Sequence, residues 1–270
     1  MLSLFLTQSA IGSLLVLLLL PPQAGGRKLF RYAVGQGAAL MALGLAVGQG
    51  TGSGTPWRSV LLSLAIILVA ASSGLFHLGR LGAGRAVMIT GLIPAIGALI
   101  ADALAVIPAT DTSIAARFLY PLDAMTSGLV PGSALIAMIL GHYYLNIPGL
   151  AIGHLQRFTL AFLGVVVLRM AVVGVSLARS WLLIAPLLHL LLNNGVLPDS
   201  QGLDPFALIL VLIHVLFSGA AAGVMAFMAW RTSLISSTQS ATGILYVALL
   251  MAIMGEMASR YLLVMTGLPL

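Results

Sequence analysis

Long apolar runs broken by short polar stretches dominate this chain. Eight of them predict membrane-spanning helices, over Leu2–Leu20, Leu29–Val47, Ser59–Phe76, Ala86–Val106, Met125–Leu145, Leu155–Ala178, Phe206–Ala229 and Ala241–Val264. A ninth apolar piece, Trp181–Asn193, is short for a crossing and predicts an interfacial or re-entrant half-helix. The breaks carry turn chemistry: Pro21-Pro22 with Gly25-Gly26, the glycine-rich stretch from Gly48 to Gly54, Gly79 to Gly84, and Asn193-Asn194-Gly195 with Pro198-Asp199. The segment Asp111–Asp123 is mildly amphipathic, which predicts a surface-lying piece ahead of the fifth span.

The fold expected is an all-α, polytopic transmembrane bundle forming a single integral-membrane domain over residues 1–270. Composition agrees. Hydrophobic residues make up 60% and charged residues 7%, against roughly a quarter charged in soluble domains, so lipid rather than water has to cover the surface. The first run lacks a basic segment before it, and Pro21-Pro22-Gln23 is a poor cleavage site, so it reads as a retained helix. Pro94 and Pro131 fall inside spans and predict kinks. Gly128 with Gly132, and Gly219 with Gly223, have the four-residue spacing that lets helices pack closely in lipid.

Net charge is +6, but the basic residues are scattered at span ends, which argues against nucleic-acid binding. The odd connections hold Arg27, Lys28, Arg31, Arg80, Arg85, Arg157 and Arg231; the even ones hold Arg58, Arg117 and Arg179 along with Asp111, Asp123, Asp199 and Asp204. The positive-inside rule then predicts odd loops in the cytoplasm and both termini outside, in a bacterial cytoplasmic membrane. With no cysteine, iron–sulfur ligation, thiolate metal sites and cysteine nucleophiles are excluded. No P-loop lysine, His-Glu-x-x-His motif or Gly-x-Ser-x-Gly elbow occurs, and no catalytic residue is assigned.

Ionisable groups inside a bilayer are functional suspects because they are costly there. An inner layer gathers His77, His142 and His154 beside Arg80, Arg85 and Arg157, around the run Gly141-His142-Tyr143-Tyr144-Leu145-Asn146-Ile147-Pro148. Neutral imidazoles on facing helices at matched depth hold a haem iron, and the same donors suit a quinone head group; ordinary interfacial residues have the same composition. Here His77 and His142 are the expected metal ligands, across the third and fifth spans. An outer layer holds Asp102, Arg169, His214, Glu256 and Arg260, with His189 able to join it. Glu256 and Arg260 are one turn apart and pair on one face, and Arg169 requires Asp102 or Glu256 as partner.

This two-layer layout resembles diheme cytochromes of the b type in residue type and placement. His142 and His154 are separated by Asn146 and Pro148 and so fall on different helices, where those cytochromes often carry two histidines on one helix. The resemblance implies a membrane subunit of an electron-transfer assembly that holds b-type haem or a quinone through His77, His142, His214 or His189. Short loops leave no soluble domain, so partner subunits are expected. The alternatives are a small transporter or proton- or ion-conducting protein lined by Asp102, Arg169, His214 and Glu256, and a structural subunit without cofactor.

Overall fold

A computed structural model describes residues 1–51, 56–109, 111, 113–146, 151–179 and 205–270. It is helical, with no strand among the described residues. The helices are α1 (Leu2–Leu17), α2 (Pro22–Gly50), α3 (Pro56–His77), α4 (Leu81–Ala105), α5 (Ile114–Asn146), α6 (Gly153–Arg179), α7 (Phe206–Leu234) and α8 (Thr238–Thr266). Seven of them are long and apolar enough to cross a membrane. The expected half-helix Trp181–Asn193, with His189, lies outside the described residues.

The exception in length is α1, 16 residues and so about 24 Å. Twelve of those residues are buried, polar Ser3, Thr7, Gln8, Ser9 and Ser13 among them. This helix is the bundle's axis, packed on α2, α4, α5 and α8. Enclosed by protein, it does not need to match the lipid thickness. Three of its hydroxyls turn to backbone carbonyls, Ser3 to Gly44 (2.7 Å), Thr7 to Ser3 (2.9 Å) and Ser13 to Ala10 (2.8 Å), which satisfies them where water is absent. Against α5 the approach is so close that a Cβ on Gly12 would lie 2.1 Å from the Gly128 carbonyl oxygen, and one on Gly132 2.3 Å from the Ser13 nitrogen. The Gly128/Gly132 pair therefore does pack a helix interface, and Gly12 is its partner.

Contacts between the remaining helices define two ends. At one, Arg58 meets Asp102, Arg179 meets Asp111, and the Tyr120 hydroxyl donates to the Gly267 carbonyl. At the other, Arg31 meets His77, Arg85 donates to the Leu18 carbonyl, and Gln156 donates to the Ser233 carbonyl. Met1 and the end of α8 belong to the first, paired end, from which Leu270 folds back to accept from Ser259 and from Arg260 Nη2 at 3.2 Å; Arg27, Lys28, Arg31, Arg80, Arg85, Arg157 and Arg231 flank the second, basic end.

One boundary differs from expectation in a way that matters. The fifth span does not start at Met125: α5 runs from Ile114 through Pro121, and the expected surface segment supplies its first turns. Ile114 and Phe118, each 74% exposed, face outward, whereas Asp123 is 1% exposed in the interior. Pro121 lacks an N–H, and the helix continues past it because neighbouring helices hold the segment in place.

Candidate functional site

Helices α5, α6, α7 and α8 each bring polar residues to one level of the bundle. Asp123, Arg169, His214 and Glu256 lie about eight to ten residues from the paired end of their helices, roughly 15 Å and near mid-bilayer. None is more than 1% exposed. Arg169 is the centre. Its Nε and Nη2 donate to the two carboxylate oxygens of Glu256 at 3.1 and 3.0 Å, a bidentate fork. Its Nη1 donates to Asp123 Oδ1 at 2.6 Å, and Nη2 also donates to Ser259 Oγ at 2.9 Å. Asp123 in turn accepts from Arg260 Nη2 at 2.7 Å through its other oxygen, and Ser218 donates to Glu256 Oε1 at 2.5 Å.

Two guanidinium cations and two carboxylates thus form a chain, Arg260–Asp123–Arg169–Glu256, with no net formal charge. That balance is what makes burial tolerable, since an unpaired charge at this depth costs several kcal/mol. The expected partner Glu256 holds Arg169, but Asp123 shares the role, and Asp102 stands elsewhere. Asp102 is one turn from the end of α4 and pairs with Arg58 at 2.7 Å. Arg260 turns to Asp123, where pairing with Glu256 one turn away was expected.

His214 completes the site from α7. It opens an eight-residue π-helical stretch, His214–Ala221, that also carries Ser218. The wider winding aims both side chains at α8, where Gly255 permits contact: a Cβ there would sit 2.4 Å from the Ser218 nitrogen. His214 Nδ1 lies 3.0 Å from the Gly255 carbonyl and 3.9 Å from Glu256 Oε1. A carbonyl only accepts, so Nδ1 carries the proton, and Nε2 of the neutral ring is the lone-pair nitrogen. Nε2 has no partner among the described residues. Unpartnered polar atoms also occur on Arg260 and on Gln8 of α1. Those two residues line a small cavity with Asp102 and Tyr120, with room for about one water between the paired end and the charge chain.

The inner histidines are not brought together. His77 and His142 are exposed, His154 is half-buried, and α3 packs on α2 and α4 rather than forming a slot with α5. Arg31 Nη1 lies 2.8 Å from His77 Nδ1. Arginine has no acceptor, so that nitrogen is the lone-pair one and Nε2 carries the hydrogen. The described residues contain no cluster of three or more metal-ligating side chains.

Sequence reasoning placed Asp123 in a surface segment and passed over Ser218, Ser259 and Thr126. One signal pointed to Asp123: continuing the helical period back from the apolar fifth run through Pro121 puts it inside the span. No protein-family model, no curated protein and no solved structure matches the chain.

Proposed function

We propose that this chain is a proton- or ion-coupled membrane protein, with the buried chain Arg260–Asp123–Arg169–Glu256 and His214 as its working centre. The observation that carries this reading is Arg169, one buried cation shared between two carboxylates from different helices. When Glu256 takes a proton the centre gains one positive charge, and Arg169 keeps Asp123 as its counter-ion through Nη1. The fork to Glu256 then loosens, and Ser218 and His214 are the neighbours that respond first. Because π-helical stretches recur at functional sites, the wound segment beside Glu256 is the element on α7 best suited to move. The Gln8–Arg260 cavity supplies the approach from the paired end. The basic end faces the cytoplasm by the positive-inside rule, in a bacterial cytoplasmic membrane, with partner subunits as further neighbours.

Purified protein in vesicles holding a pH-sensitive dye tests the reading. The wild type is expected to dissipate an imposed proton gradient faster than empty vesicles, and Glu256→Gln to slow that step about tenfold or more. A folded wild type with no flux above empty vesicles overturns it and leaves the charge chain with a structural role.

The second reading is an electron-transfer subunit holding b-type haem or a quinone. The observation favouring it is His214, whose Nδ1–H is fixed by a backbone carbonyl and whose Nε2 lone pair has no partner, the arrangement of a ligating imidazole. A reduced-minus-oxidised spectrum of the purified protein decides it: a b-type band that disappears in His214→Ala supports haem, and no band in the parent removes it.

A further inference from the structure

At the basic end, far from the charge chain, a cavity of about 120 Å3 opens between α2 and α3, lined by Arg27, Lys28, Arg31, Phe76 and His77. Gly26, at φ 69° and ψ 162°, breaks the helical path there, so Arg27 and Lys28 stand in the first turn of the straight part of α2. The positive φ is open to glycine at little cost. Phe76, tilted against the buried Phe30 at 5.1 Å between ring centroids, gives the cavity its apolar side.

Every polar side chain facing this cavity is a donor. Arg27 and Lys28 make no side-chain hydrogen bond or ion pair among the described residues. Arg31 spends Nη1 on His77 Nδ1, and that bond leaves the His77 Nε2–H as a further donor. The acids are elsewhere: Asp102 and Asp111 are at the paired end, and Asp123 and Glu256 are inside the charge chain, among the described residues. Three cations and a neutral imidazole donor thus converge without a carboxylate to balance them. The buried arginines Arg58, Arg169 and Arg260, by contrast, each pair with a carboxylate.

We propose that Arg27, Lys28, Arg31 and His77 form a binding site for a phosphate-bearing anion, either the head group of an anionic lipid or free phosphate. Phosphate oxygens only accept at neutral pH, which matches an all-donor lining, and guanidinium groups bind them with charge-assisted bonds. The position, at the membrane-flanking end of two neighbouring helices and beside the Phe76 ring, is where an acyl chain runs down the bundle while its phosphate stays at the surface.

The test uses the full chain in a neutral detergent, titrated separately with phosphatidylglycerol, phosphatidylcholine and inorganic phosphate, with bound ligand counted by native mass spectrometry. Phosphatidylglycerol is expected to bind in preference to phosphatidylcholine and about tenfold more weakly to Arg27→Gln/Lys28→Gln, with binding falling as salt is raised. Arg80→Gln/Arg157→Gln removes the same charge at the same end outside the cavity, and is expected to bind like the wild type. Inorganic phosphate retained by the wild type and lost in the first variant, with no preference between the lipids, identifies free phosphate as the ligand. Equal binding of both lipids without phosphate retention overturns the proposal. So does an equal loss in the two double variants, which reduces the effect to net charge. Arg27 and Lys28 are exposed, so neither substitution disturbs the packed interior.

Discussion

Arg169 shows how much of a membrane protein's interior is decided by one side chain. Fully buried, it is satisfied by Asp123, Glu256 and Ser259 together. Arg169→Met alone leaves two carboxylates sharing Arg260 as their only nearby guanidinium, and Glu256→Leu alone leaves an excess cation. Each is expected to destabilise by about 3–5 kcal/mol, the cost of stranding a buried charge. The double variant removes one charge of each sign and keeps the Arg260–Asp123 pair, so it should cost less than either single change. Thermal unfolding of the three variants in detergent checks this, and a double variant as unstable as the sum of the singles contradicts the pairing. Sequence alone demanded a carboxylate partner for Arg169, because a lone charge in hydrocarbon is too expensive. It did not reveal that two carboxylates share the task, because Asp123 follows Pro121 and was assigned to a surface segment.

At the scale of elements, α1 and α7 are the informative cases. The contact of α1 with α5 has backbone against backbone, with Gly12, Gly128 and Gly132 leaving no space for a side chain. Gly128→Leu should therefore force the helices apart and destabilise the protein by about 1–3 kcal/mol or more, whereas Gly164→Leu on α6, with open space at its Cβ, should be near neutral. Comparable losses at the two positions in a thermal-unfolding assay would contradict the close α1–α5 contact. The four-residue glycine spacing on α5 was visible in the sequence. That its partner is the short first helix was not, since the spacing names a face and not what packs on it. The π-helical winding at His214–Ala221 left no trace in the hydrophobic period, because it shifts side chains by only a fraction of a turn.

For the whole molecule, both termini lie at the paired end and the Gly79–Arg80 turn at the basic end. Reporter fusions after Leu270 and within Leu81–Gly84 should report opposite sides of the membrane, with the Leu81–Gly84 fusion cytoplasmic. The same side for both would contradict the bundle's topology, and reversed sides would contradict the charge rule.

Composition and hydropathy by themselves determined the class of object, an all-α bundle in lipid, and the approximate place of each helix. Burying a backbone in hydrocarbon requires helices, and their apolar length is written directly in the chain. Charge at the span ends separated a basic end from one of mixed charge. Which helices touch was decided only in three dimensions. In a chain apolar on nearly every face, the hydrophobic pattern does not distinguish the side toward protein from the side toward lipid. The tertiary structure made α1 the axis and gave Asp123 to Arg169 and Arg260. It also gave Asp102 to Arg58 and set His77 beside Arg31 rather than opposite His142. Each of those choices follows from which donors and acceptors packing brings within about 3 Å, a distance that separation along the chain does not encode.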